Sequence, residues 1–442
     1  MQSNSNNHHT DQNSDDFLKW TSSLPNADNS LSNDQILLTR RHFLYGSLGL
    51  GALTLTAGIL GSSPVLAFAD SEISTLHVPE DKVFTNEDCS EIPASDKVRL
   101  IGDYKLPYGT LIWSNSDSVA ACLLPTETSD PLTKVAVLFL HSGTYTILLE
   151  AAIGQADDFD IYDVRANEQG LIWTEANILT GIWRVYTASF DGENLGEATL
   201  VEEGDAGWET PTIAAVAQYG FWQILPVADG EHRREDSLLK KAEFGKTSIE
   251  TVYASTGRMS TPPYALKNEV VITPRTNTNA IHHQLTLIDA STNQTTDSMV
   301  LPANMKPLEA GYGDTGFNFS FDGIYDYGEG IANLGTYTPA KSHDTYDYNE
   351  LTWFRFGRTP SAPPAWCSGL FIVKSLRSVC GIDFSAKTYF ALDVENGANA
   401  YGDYLASSGD NGNFVTYSNI HSLSIEGEET KHCLVRVWAP NE

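Results

Sequence analysis

Short strand-like runs recur along this chain at a fixed interval, and that interval constrains the fold more than any other feature. Pro107, Pro211, Pro262 and Pro363 open successive sets of runs at spacings of 104, 51 and 101 residues, all close to multiples of 51. Phe159 and the segment Gly311, Tyr312, Gly313 fill the missing registers. Within each set lie runs such as Val119–Leu124, Val135–Leu140, Gly170–Trp173 and Trp183–Ala188, bounded by Gly, Asp and Asn. Runs of about four to eight residues so bounded are strand patterns. Asp191-Gly192 and Asn396-Gly397 are hairpin-type turn signals. From residue 98 onward no window carries a helical apolar stripe, so the class is all-β. The frequent aromatics, 9 Trp, 19 Tyr and 18 Phe, suit strands as well.

A repeat of about 40–50 residues with four short strands is the mark of a β-propeller. One such sheet cannot cover both of its faces, whereas a ring of twisted sheets packs each face on its neighbour. Counting registers from Pro107 to the region near 405 predicts a seven-bladed β-propeller, with six or eight blades as the alternatives. The last set shows three clear strands, and an extra strand, Lys97–Ile101, precedes the first. That strand is expected to complete the last blade and close the ring, which removes free sheet edges. Residues 70–97 read as an acidic linker and residues 98–442 as the propeller.

Residues 1–38 are rich in Ser, Asn and Asp, and read as a disordered leader. Arg40 and Arg41 follow, then Phe43-Leu44, then a weakly hydrophobic Gly- and Ala-rich stretch to Leu66, and then Ala67-Phe68-Ala69. This order resembles a twin-arginine translocation (Tat) signal with a small-x-small cleavage site. The lysine often found after the Phe-Leu pair is missing. With the repeat, the whole chain resembles exported β-propeller proteins that carry such a signal. The resemblance implies a signal helix within residues 1–69, cleavage after Ala69 and passage through the Tat translocase. It implies a secreted or cell-surface location, membrane-anchored if the signal stays attached. A transmembrane anchor is the rival reading, since residues 43–69 are long enough to span a bilayer, which takes about 20 apolar residues.

Charge narrows the partners. The chain has 27 basic against 57 acidic residues, a net charge of −30. Phosphate neutralisation needs clustered Lys and Arg, so nucleic acid is excluded as a partner. An exported location permits disulfides among Cys89, Cys122, Cys367, Cys380 and Cys433. Cys89 and Cys433 are the pair expected at the closing seam; buried thiols are the alternative.

No motif with a mechanism stands out: no phosphate-binding loop, no His-Glu-x-x-His, no Gly-x-Ser-x-Gly. Propellers bind ligands where loops converge at one end of the channel. The residues around each blade's start are therefore the candidates: Trp208, Glu209, Tyr264, Tyr312, Asp314 and Trp366. Trp and Tyr offer flat faces to sugars or peptides, and carboxylates can act as acid and base. The same aromatics would also serve to pack the blades. The segment Glu231, His232, Arg233, Arg234 reads as a solvated cationic loop that could hold an acidic partner. His282 and His283 point to opposite faces of a strand, so they do not share a metal, and a surface position is expected. Asp410, Asn411, Gly412, Asn413 and Asp314, Thr315, Gly316 are oxygen-rich turns of a kind that calcium binds, although such turns also form for local reasons. No other cofactor and no dedicated metal site is expected. The sequence favours an extracytoplasmic module that binds an extracellular protein or glycan. The rival is a propeller enzyme, a glycoside hydrolase or lyase with carboxylates at the channel mouth.

Overall fold

The chain divides into two units, Met1–Ile59 and Leu60–Glu442. A computed structural model describes residues 75–76, 80–126, 133–276, 281–303, 305–321, 332–336, 353–357, 362–423 and 429–441, all in the second unit. Arg40, Arg41, Ala67 and Ala69, and the expected signal helix with them, lie outside the described residues.

Seven sheets follow one another, and they form a seven-bladed β-propeller. Blade 1 runs Leu111–Trp113, Val119–Leu124, Lys134–Phe139, Tyr145–Leu149. Blade 2 runs Asp160–Ala166, Gly170–Asn177, Ile182–Ser189, Thr199–Gly204, and blade 3 Thr212–Val216, Tyr219–Ile224, Ser237–Glu243, Ile249–Ser255. Blade 4 is Tyr264–Ala265, Glu269–Ile272, Gln284–Asp289, Thr295–Val300, and blade 5 Pro307–Gly313, Gly316–Phe321, Ala332–Thr336, Trp353–Gly357. Blade 6 is Ala365–Cys367, Leu370–Lys374, Val379–Asp383, Thr388–Ala391. Blade 7 is Tyr404–Leu405, Phe414–Leu423, Glu429–Pro440, completed by Val98–Leu106 from the opposite end of the sequence. The closing pair is antiparallel, from Val98 opposite Pro440 to Leu106 opposite Cys433. Among the described residues there is no α-helix.

The second strands of blades 1, 2, 5 and 6 are buried throughout, because both of their faces meet a neighbouring sheet. Gly170–Asn177 and Leu370–Lys374 are buried at every position. The core is therefore seven seams rather than one centre. One apolar cluster fills each seam, from Val119, Val137, Leu171 and Trp173 between blades 1 and 2 to Cys122, Val415, Cys433 and Val435 between blades 7 and 1. The last of these seams closes the circle.

Residues 75–76 and 80–97, part of the expected acidic linker, pair with the blades. Leu76 donates its N–H to Val300 O on the outer strand of blade 4 at 2.8 Å. Val83–Thr85 pairs parallel with the outer strand of blade 5, and Ser90–Glu91 with that of blade 6. The segment is a strap that covers three outer edges in turn before it enters blade 7. Short parallel pairings of this kind satisfy the edge N–H and C=O groups that would otherwise stay open. Phe84 adds a buried ring against Phe354, with centroids 5.2 Å apart.

The expected Cys89–Cys433 bridge is absent, and all five thiols are free. Cys89 lies in the strap beside the blade 5–6 seam, whereas Cys433 is fully buried in the blade 7–1 seam. Two different cores separate them. Cys433 shares its core with Cys122, and burial pushes both thiols well above their ordinary range.

Candidate functional site

Strand order fixes two ends for the ring. In every antiparallel blade the turn between the first and second strands lies at one end. The turn between the second and third strands, and the connection to the next blade, lie at the other. We term these the turn end and the connection end.

At the turn end the channel is sealed. The first turn of blade 7, 406–413, folds inward across the axis. Asp410–Asn411 pairs parallel with the innermost strand of blade 6. Trp366 N–H donates to Gly409 O at 2.8 Å and Ser408 N–H to Ser114 O of blade 1 at 2.8 Å. The Tyr264 hydroxyl of blade 4 accepts from Gly409 N–H at 2.7 Å and donates to Pro364 O at 2.8 Å. Gly409 sits at φ +79°, and a Cβ there would come within 2.9 Å of Ala265 O, so only glycine fits this crossing. Other first turns join the collar. Asn115 Nδ2 donates to Ala215 O at 2.7 Å, Asn167 Nδ2 to Ala217 O at 2.8 Å, and Ala217 N–H to Lys267 O at 3.2 Å.

Three expected ligand-binding residues belong to this packed region. Tyr264, Tyr312 and Trp366 are 3%, 7% and 1% exposed. Burial pushes the Tyr264 phenol well above its ordinary value. The Tyr312 hydroxyl lies 3.0 Å from Asp297 Oδ2, and Trp366 Nε1 donates to Asn318 Oδ1 at 3.1 Å. The Trp366 ring lies directly on the backbone of Gly313, where a Cβ would come within 2.1 Å. Their polar atoms are engaged and their faces covered, so no ligand reaches them without unpacking the blades. Asp314 is exposed, but it lies in the turn between Gly313 and Gly316, at the opposite end from Glu209. The six residues are thus not brought together. The oxygen-rich turn at 410–413 is part of the seal. Gly412 N–H donates to Asp117 Oδ1 at 2.7 Å and Asn413 Nδ2 to Asp117 O at 2.9 Å. Among the described residues no group of three or more His, Cys, Asp or Glu side chains is placed to hold a metal.

The connection end differs. Trp208 is half-buried, and its ring stacks on His232 with centroids 4.8 Å apart and planes 17° apart. His232 Nδ1 lies 2.6 Å from Glu235 Oε1, which raises its pKa and favours the imidazolium. Glu209 forms an ion pair with Arg258 at 2.6 Å, and Arg258 also donates to Pro226 O. Arg233 and Arg234 are exposed, as a solvated loop requires. His283 is not at the surface as expected, being 6% exposed.

Sequence reasoning passed over a further feature of this end. The turn between the second and third strands of blade 2 carries Ile178 and Leu179, 73% and 93% exposed. Polar residues usually fill such turns. Asn177 holds the turn rigid, with Oδ1 accepting from Leu179 N–H and Thr180 N–H at 3.1 Å each. Asn177 Nδ2 donates to Asp157 O at 3.2 Å and so pins the turn beside the loop of the exposed Ile153. Ala206, two residues before Trp208, lies against Gly181 of the same turn. An apolar-aromatic strip thus runs from Leu179 to Trp208. Exposed Asp157, Asp158, Glu203 and Asp205 flank it.

No protein-family model matches the chain, and no curated protein sequence matches it. Solved structures do. A prolyl endopeptidase is similar at 11% identity and TM-score 0.47, over 75% of this chain and 50% of that one. The chain therefore spans half the length of that enzyme. Oligogalacturonate lyase in complex with manganese is similar at 8% identity and TM-score 0.41, over 76% of this chain and 98% of that one. The WD40 domain of SCAP from fission yeast is similar at 9% identity and TM-score 0.34, over 78% and 88%. At such identities no residue's role carries over.

Proposed function

We propose that the chain is an extracytoplasmic binding module that holds an extracellular protein or glycan at the connection end of blades 2 and 3. The exposed Ile178–Leu179 turn carries this reading. Two large aliphatic side chains held rigidly in solvent cost solubility and contribute nothing to the core, which is how protein-contact hot spots are built. Trp208 extends the strip, and Glu209 with Arg258 gives it a polar rim. The seal at the turn end supports the choice of face, because a ligand has no open channel to enter there. Export through the Tat translocase, followed by a secreted or cell-surface location, belongs to the same proposal and rests on the Arg40, Arg41 and Ala67–Ala69 pattern.

The carbohydrate-acting enzyme is the rival. It needs a pair of free carboxylates across a scissile bond. At this end Glu209 is held by Arg258, and Glu202 by Lys240 and Trp222 Nε1, each at 2.6 Å, which leaves the exposed Asp157, Asp158 and Asp205 as the enzyme's candidates. The test pairs the full chain with an I178S/L179S variant on a glycan array and against purified cell-surface proteins. Binding that the variant loses supports the module. Turnover of a polysaccharide by both proteins would establish the enzyme instead.

A further inference from the structure

Among the described residues, cations gather at the connection end of blades 3 and 4, in a chain of net charge −30. Arg258 lies in the connection leaving blade 3, Arg275 and His283 flank the loop between the second and third strands of blade 4, and Lys306 lies in the connection leaving blade 4. Arg275 and His283 form a backbone bridge across their loop. Arg275 N–H donates to Ser255 Oγ at 2.9 Å. Its guanidinium lies over Gly257, with Nη1 3.0 Å from where a Cβ would stand. Gly257, at φ +86°, is what allows this approach.

The charges here are unequal in company. Arg258 has Glu209. Arg275 has no carboxylate within ion-pair distance among the described residues, and its Nε is buried without an acceptor. His283 Nδ1 is likewise buried without a partner. The charged and titratable neighbours of His283 are Arg275, Lys306 and His282, none of them acidic. Burial and these neighbours hold His283 down to about 4, so it is a neutral imidazole at ordinary pH. Burial, then Arg258, lowers Arg275 from its usual value. A guanidinium half removed from water beside another, with no counter-charge, is an unfavourable arrangement that an anion relieves. A guanidinium offers a planar fork of donors that matches an oxyanion.

We propose that Arg275, flanked by Arg258, Lys306 and His283, binds a small oxyanion — a carboxylate, phosphate or sulfate — in the seam of blades 3 and 4. Arg275 supplies the charge and the donor fork. Lys306 is exposed in the next connection and near enough to His283 to act on its charge. Neutral His283 avoids adding a third buried cation and keeps a ring nitrogen for a hydrogen bond. The site shares Arg258 with the rim of the Ile178–Leu179 strip, but binding at Arg275 does not depend on that strip.

Calorimetric titration of the full chain at neutral pH tests this, with sodium phosphate, sodium sulfate and sodium glucuronate each set against sodium chloride of equal ionic strength. Saturable binding of at least one oxyanion, one per chain, is expected. Arg275→Gln should weaken it about tenfold or more, the scale of losing one charge-assisted contact. Arg275→Lys should keep part of the affinity, and the exposed pair R233Q/R234Q should keep all of it. The three salts separate a planar carboxylate ligand from a tetrahedral one. If all three behave as chloride does, or if Arg275→Gln binds as the unaltered chain does, the proposal fails. A second readout needs no substitution. A bound oxyanion raises the pH at which the His283 ring takes its proton, followed by NMR of the ring C–H signals. A midpoint indifferent to saturating oxyanion also overturns the site.

Discussion

The two ends of the ring come from the same repeat and have opposite fates. At the turn end several first turns are only two residues long, such as 314–315 and 368–369, and the one long turn, 406–413, folds inward. Its backbone is shared among blades 1, 4, 6 and 7 through Ser114, Tyr264 and Trp366. At the connection end the segments are longer; some of their side chains enter the seams, as Met259, Leu301 and Met305 do, and others such as Leu179 stay in solvent. The seal spends its polar groups on internal bonds, which makes it structural. The connection end leaves aliphatic tips and, among the described residues, a cation without a carboxylate, which suits contact with other molecules. Aromatic residues near a blade's start therefore mean different things according to which end they face.

The largest expected effect breaks the seal. Trp366→Ala removes a fully buried indole that packs on Gly313, Phe371 and Phe384. It should cost about 3–5 kcal/mol in chemical denaturation, as large-to-small core changes do. A cost below about 1 kcal/mol would show that the turn end is not packed as described.

Next comes a pH effect at the opposite end. His283 has an ordinary value of 6.5 and is held at about 4, chiefly by burial and then by Arg275, Lys306 and His282. The unfolded chain takes up that proton near 6.5, while the folded chain refuses it until about 4. This contribution to stability is therefore complete above 6.5 and is lost as pH falls toward 4, by about 3 kcal/mol at most. His283→Asn should be less sensitive to acid than the unaltered chain over that window, measured by urea midpoints. Equal slopes would place His283 in water.

Tyr264→Phe is a smaller cut through the seal. It strands Gly409 N–H and Pro364 O without filling or emptying space, at about 1–3 kcal/mol. Hydrogen exchange at Gly409 should accelerate in the variant, and unchanged protection there would mean that the hydroxyl does not hold the crossing.

Much of the ring was legible before any coordinates, because the period of strands is a global signal carried by many residues. The extra strand at Lys97–Ile101 was visible because its pattern matched the others. What escaped depends on where a local segment goes. The strap pairs through strands of two and three residues at 83–85 and 90–91, too short to show alternation, so its acidity dominated the reading. Residues 410–413 have the composition of a tight turn, and composition does not say that the turn crosses a channel. In the blade 2 hairpin the aromatics pack across the strands, Trp173 stacking on Tyr186 at 5.4 Å, while Trp183 faces the next seam and covers Gly204. The ten-residue spacing of the two tryptophans left the register open, and register decides the face. Of the proposed sites, Trp208 and Glu209 drew notice through their place before a blade, His283 was read as a surface residue, and Arg275 gave no signal because its meaning lies in having no carboxylate beside it among the described residues.

The smallest expected effect on stability is the one that separates the two ends most cleanly. Leu179→Ser removes a side chain that is 93% exposed, so the core loses nothing and the turn keeps its Asn177 bonds. Its denaturation midpoint should stay within about 0.5 kcal/mol of the unaltered chain. A truncation that is silent in folding and costly in ligand capture identifies a residue kept for contact. If Leu179→Ser instead destabilises the chain by about 2 kcal/mol or more, the leucine is covered in solution, as a core side chain of blade 2 would be. The contrast between a structural end and a binding end would then fail at its most exposed point.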